Sequence, residues 1–275
     1  MTWERVREFG RPRPTIYRPM VFSRLLLLSR ARGWRYLLSW GHRTSGIILV
    51  VFLLLHIWTL SSLENPDSYN AKMRLFSSFP LVLMEWLLAI PVIFHALNGG
   101  RLLLYEGFGL KDDTALIRWG MASASGYVLL LGWAMARGDQ WVSDSIFWVG
   151  AALLGLACTG LMLKPFWMAY QPLGWRLQRI SAGFLLVLVP AHMFFMHLNV
   201  AVGHDASRVI ERLASPLMRG LDLTILGCVV FHGSYGVFSI LSDYLGTRLV
   251  RVALAIVIWA SGLLLFWAGL KVMIP

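Results

Sequence analysis

Residues 42–63 read HRTSGIILVVFLLLHIWTLSSL. After the polar opening His42-Arg43-Thr44-Ser45-Gly46 comes an apolar run up to His56. A helix crosses a bilayer with about 20 mostly apolar residues. The stretch to Leu63 has that length, and no polar face recurs at helical spacing as it would in a soluble amphipathic helix. It predicts a transmembrane helix over 45–63, closed by Glu64-Asn65-Pro66-Asp67.

Six more stretches have the same character: about 81–104, 116–136, 146–168, 180–200, 218–243 and 249–272. Lys111-Asp112-Asp113, Arg137-Gly138-Asp139 and Pro172-Leu173-Gly174 fall between them. The chain is 57% hydrophobic and 14% charged, where soluble domains average about 25% charged. So much apolar surface needs lipid rather than water. The predicted fold is an all-α polytopic transmembrane bundle of about seven spans.

The net charge of +11 does not point to nucleic acid, because ten of the 25 basic residues lie in the first 43. Basic residues beside a span mark the cytoplasmic side. With the N-terminus in the cytoplasm, 18 Lys and Arg fall on that side and seven on the other. The stretch around 20–40, with Leu25 to Leu28 followed by Arg30, Arg32 and Arg35, predicts a basic amphipathic helix on the membrane surface. No signal peptide is expected. Cys158 and Cys228 sit in apolar runs without metal-ligand spacing, which speaks against a disulfide framework.

The opening stretch has a counterpart. Residues 178–200 read QRISAGFLLVLVPAHMFFMHLNV. Arg43 to His56 is 13 residues, and so is Arg179 to His192. His95 in the second span matches His232 in the sixth, and Glu106 and Asp243 each follow their histidine by 11. The offset is 136 or 137 residues throughout. A second three-span half in the same orientation needs one extra crossing, which the fourth span supplies. The expected organisation is a basic N-terminal segment 1–44, a first three-helix repeat 45–136, a linker helix 137–174 and a second repeat 175–275.

Polar side chains inside a bilayer are costly and mark functional sites by default. Neutral imidazole also ligates haem iron, and a planar haem takes ligands from opposite sides, as facing helices provide. His95 with His232, and His56 with His192, are the candidate axial ligands. Gly99, Gly100, Gly233 and Gly236 would let a macrocycle approach the backbone. The alternative reading is interhelical hydrogen bonding. His197 is an alternative to His192, and His204, beside Asp205, is expected to be solvated. The 12 Met are read as packing.

These residues together resemble the membrane anchor of succinate dehydrogenase and fumarate reductase, respiratory complex II. The first half is similar to its cytochrome b subunit: Ser39-x-x-His42-Arg43-x-Ser45-Gly46, then His95-x-x-x-Gly99-x-Arg101. The second is similar to the small anchor subunit: His232-x-x-x-Gly236, then Asp243-Tyr244. The resemblance covers about 36–106 and 175–245, with the fourth span as a fusion linker.

The resemblance implies a haem b-containing electron-transfer subunit of succinate:quinone oxidoreductase, not catalytic alone, in a bacterial or archaeal cytoplasmic membrane. Its implied partners are a flavoprotein subunit and an iron–sulfur subunit, with a higher oligomer of the complex left open. His95 and His232 would bind the haem nearer the cytoplasm. Ser39, Arg43, Asp243 and Tyr244 would line a site for menaquinone or ubiquinone. His42, Arg43 and Arg179 would face haem propionates. His56 and His192 depart from the one-haem pattern and resemble the two-haem type, so two haems are favoured over one. Gln178 stands where internal symmetry with His42 expects His. Glu85 is a candidate for proton transfer, a distal quinone or an interfacial charge. Two other classes remain: the cytochrome b anchor of another quinone-linked dehydrogenase, and a haem-free transporter with helices broken near Pro91 and Pro190.

Overall fold

The computed structural model describes residues 33–110, 114–245 and 247–274. Most of the expected surface helix over 20–40, and Lys111 to Asp113, lie outside them. Among the described residues there is no strand, and seven helices are long and apolar enough to cross a membrane. These are α1 (Trp34–Leu60), α3 (Phe79–Phe108), α4 (Thr114–Arg137), α5 (Asp144–Trp167), α6 (Leu173–Leu198), α9 (Pro216–Ser242) and α10 (Arg248–Met273). Short helices α2 (Pro66–Phe76), α7 (Val200–His204) and α8 (Ala206–Ala214) lie in the connections. Helix α1 starts well before the apolar run, so His42 to Gly46 are helical.

Local chemistry sets the boundaries. Asn65 caps α2 by accepting from the Ser68 amide, with Pro66 at the first helical position. Asp205 caps α8 through the Ser207 amide, and Thr247 caps α10 through that of Val250. Gly109 closes α3 at φ 66°, a left-handed conformation that glycine adopts at no steric cost. Pro91 and Pro190 leave α3 and α6 unbroken. The Tyr127 hydroxyl donates to the Pro190 carbonyl at 2.7 Å. The interrupted helices that a transporter would need are absent among the described residues.

The chain divides between Trp40 and Gly41. Of the first unit, 33–40 are described; Tyr36 stands edge-on to Trp40 at 6.4 Å, and Ser39 is exposed. In the second unit α6 is central, packing on α3, α4, α5 and α9, while α10 packs on α9. From His42 onward α1 meets the other helices through side chains rather than by close backbone packing. Large apolar side chains are exposed along the spans, among them Leu55, Leu129 and Leu263. Lipid is the solvent that accepts them.

Candidate functional site

Four imidazoles form two pairs between helices. His95 on α3 and His232 on α9 have ring centroids 6.2 Å apart and planes at 86°. His56 on α1 and His192 on α6 have centroids 6.1 Å apart and planes at 83°. The pairs lie at different depths. Ser45, which touches His95, precedes His56 by 11 residues, about 16 Å along a helix.

The first pair has a defined surround. His95 Nδ1 lies 3.1 Å from the His42 carbonyl and 3.2 Å from Ser45 Oγ. The carbonyl can only accept, so Nδ1 carries the proton and Nε2 keeps its lone pair. His42 stacks on His95 at 4.0 Å, nearly parallel. Gly46 makes this contact possible: a Cβ there would come within 3.0 Å of His95 Cε1. At Gly99 a Cβ would reach His42 Cε1 at 3.4 Å. The other singled-out glycines face Leu186 (Gly100), Val50 (Gly233) and Gln178 (Gly236). The buried Nδ1 atoms of His42, His192 and His232 have no hydrogen-bond partner.

Both ring nitrogens of His197 are engaged by neighbouring groups. Its Nδ1 bonds to the Met193 carbonyl at 2.6 Å, and its Nε2 lies 3.4 Å from Glu85 Oε1. His204 is half-buried rather than solvated, and burial lowers its pKa.

Two ion pairs cross between the halves of the chain. Arg43 Nη2 is 2.9 Å from Asp243 Oδ2, both partly exposed. Arg179 forks onto Glu106 at 2.8 and 3.1 Å, also reaches Gln178 Oε1 at 2.8 Å, and lies over the Trp175 ring. Tyr244, next to Asp243 in the turn after α9, is 60% exposed. Arg43, Asp243 and Tyr244 thus share one end of the second unit.

One charged cluster has no counterpart in the sequence reading. Arg212 on α8 pairs with Asp222 on α9 at 2.9 Å, with side chains only 7% and 10% exposed. The arginine also lies over Trp148, which is fully buried beside His192. Ten residues across a turn follow no helical spacing rule, so only an Asp inside an apolar run signalled it.

Seven long apolar helices, with histidine pairs half-buried between them, define an integral membrane protein. The chain matches the description "Succinate dehydrogenase/Fumarate reductase transmembrane subunit" over residues 17–133 and again over 162–269. It belongs to that family, as a membrane anchor subunit of the complex. A curated relative, the succinate dehydrogenase hydrophobic membrane anchor subunit of Archaeoglobus fulgidus, is 33% identical over 103 residues, 36% of this chain and 86% of the relative. A second, the succinate dehydrogenase 2 membrane subunit SdhC of Mycobacterium tuberculosis, is 38% identical over 77 residues, 27% of this chain and 57% of the relative. No solved structure matches the chain.

Proposed function

We propose that this anchor subunit holds two b-type haems, one between His95 and His232 and one between His56 and His192, and passes electrons between an iron–sulfur subunit and quinone. The observation that carries the reading is the repetition of one imidazole geometry at two depths. Two metal–nitrogen bonds of about 2 Å, plus about 1 Å from nitrogen to ring centre on each side, put centroids about 6 Å apart. Both pairs fit that span. His95 fits further, since its Nδ1 is held by a backbone carbonyl while Nε2 stays available, the usual support for a metal-bound imidazole. The crossed ion pairs and the doubled family match support reading the chain as two parallel repeats joined by α5.

Bound haem supplies one-electron chemistry, while the protein sets position and potential. The chain's own residues provide the rest. His42 would present its free Nδ1 to a propionate, with Arg43 and Arg179 adding positive charge at the same end. At the quinone site the Tyr244 hydroxyl would hydrogen-bond a carbonyl oxygen. Arg43 would stabilise the negative charge that develops there on reduction. Asp243, paired with Arg43 and partly exposed, would relay protons from solvent to the reduced oxygen. Flavin and iron–sulfur chemistry would lie on partner subunits, for this chain has neither a nucleotide fingerprint nor a cysteine cluster. The excess of Lys and Arg supports a cytoplasmic position for this end.

Haem b per chain in the purified complex, by pyridine haemochrome with a redox difference spectrum, tests the reading. Two haems are expected. One would return His56 and His192 to packing roles. None, in protein shown to have lost no cofactor, would remove the cytochrome function.

A further inference from the structure

The far end of the bundle holds a cluster of buried hydrogen-bond donors without acceptors. Arg212 Nη2 is taken by Asp222 Oδ1 at 2.9 Å, but Arg212 Nε is buried and unpartnered. The guanidinium lies 5.4 Å from the Trp148 ring centroid. Trp148 is 0% exposed, and its Nε1–H is buried and unpartnered. The Trp148 ring stands 6.1 Å from His192, whose Nδ1 is a third buried atom without a partner. Buried polar groups in native proteins are satisfied almost without exception. A single orphan is unremarkable, but a connected cluster with two of its members restricted to donating calls for an acceptor.

We propose that Arg212, with Trp148 beside it, is the anion site for a carboxylate side chain of the haem held by His56 and His192. This rests on the two-haem reading above. An arginine already half-neutralised by Asp222 can hold one further carboxylate oxygen through Nε, and the indole N–H supplies a second donor. Helix α8 would owe its place to this role. It is short and lies in the α6–α9 connection, packed on α2 and α9. It buries Ala206, Val209 and Leu213, and Arg212 points inward with them. A cation needs a strong reason to be drawn from the membrane surface to 7% exposure. The Asp222 partner alone does not fill the guanidinium's five donors.

The site predicts an electrostatic signature of opposite sign for its two charges. Arg212 stabilises the reduced, more negative haem, so Arg212→Gln lowers that haem's midpoint potential. Asp222 opposes it, so Asp222→Asn raises the potential. A tenfold change in the one-electron equilibrium corresponds to 59 mV, and we expect about that for Arg212→Gln and a smaller rise for Asp222→Asn. The haem of His95 and His232 should keep its potential in both. The experiment is a spectroscopic redox titration of the detergent-solubilised complex, wild type and both variants, with haem content measured in parallel. Shifts of opposite sign in one haem support the inference. Both haems bound with both potentials unmoved, or shifts of the same sign, overturn it, as does a change confined to quinone affinity. If Arg212→Gln loses one haem, Arg212→Lys and Asp222→Asn decide. Retention in both, with the potential raised in Asp222→Asn, supports the anion site, while loss in both marks a folding role and overturns it. A wild-type complex with a single haem that survives His56→Ala overturns the two-haem reading first, and this inference with it.

Discussion

Arg43 pairs with Asp243 at 2.9 Å, and Arg179, 136 residues on, pairs with Glu106 at 2.8 Å. Each arginine takes its carboxylate from the opposite half of the chain. The same exchange holds for the histidines, since His95 meets His232 and His56 meets His192. The two ion pairs differ in access to water. Arg43 and Asp243 are 35% and 49% exposed, Arg179 and Glu106 23% and 27%. The wetter pair suits the proposed quinone site, and the drier pair is the less screened by solvent.

That difference predicts separate phenotypes. Arg43→Ala should depress quinone-linked turnover by about 10²-fold, the scale of losing one charge-stabilising donor. Dye-linked succinate oxidation by the partner subunits should stay intact. Loss of both activities would instead make Arg43 an assembly residue. For the drier pair, a double-mutant cycle of Arg179→Ala and Glu106→Ala, read as the Tm of the solubilised complex, should give a coupling of about 1 kcal/mol. A coupling near zero would mean that solvent has cancelled the pair.

Ligand substitutions should fall into two sets. His95→Ala and His232→Ala should each remove one and the same haem, and His56→Ala and His192→Ala the other. His197→Ala should leave both, because His197 is engaged by Glu85 and the Met193 carbonyl. Difference spectra at two poised potentials check this. A His197 variant short of a haem would transfer the ligand role from His192.

Gly46→Ala tests how tightly His95 is held. The new Cβ would lie 3.0 Å from His95 Cε1, and the ring cannot easily swing away while the His42 carbonyl and Ser45 hold Nδ1. Overpacking of this kind costs about 1–3 kcal/mol. We expect a shifted or lost haem spectrum from the His95 pair, with the other haem unchanged. Gly126→Ala is the control, since nothing lies within 4 Å of its Cβ and alanine favours the helix. Equal effects of the two substitutions would show that helix flexibility, not the imidazole contact, is at stake.

Much of this arrangement was legible because hydropathy and register are local or periodic properties. Seven apolar runs gave seven helices, and an offset of 136 or 137 residues named both histidine pairs and both ion-pair halves. The partners of those charges were not legible. Asp243 pairs with Arg43, 200 residues away, a distance that no local spacing rule reaches. The start of α1 at Trp34 was hidden because the polar opening Ser39 to Gly46 resembles a connection rather than a helix. Arg212 with Asp222 spans a turn between a short helix and a long one, where no periodicity operates. His42 on His95 depends on two glycines whose reason is visible only once the rings face them.

Outside the spans, Tyr69 on α2 offers a pH test of how the connections are fastened. Its ring is 2% exposed, and its hydroxyl donates to the Gly203 carbonyl, tying the α1–α3 connection to the α6–α9 connection. Burial pushes its pKa up to about 12 from 10.0. An acid whose pKa is raised on folding contributes fully below its unfolded value and loses that contribution as pH climbs through the folded one. Tyr69 should therefore stabilise the connection up to about pH 10 and stop doing so by about pH 12. Tyr69→Phe removes the hydroxyl, should cost about 1 kcal/mol at neutral pH, and should abolish this part of the alkaline fall. The measurement is the difference in Tm between wild type and Tyr69→Phe from pH 8 to 12. A difference that stays constant across that range would mean that the hydroxyl titrates as it does in water, and that the two connections are not closed over it.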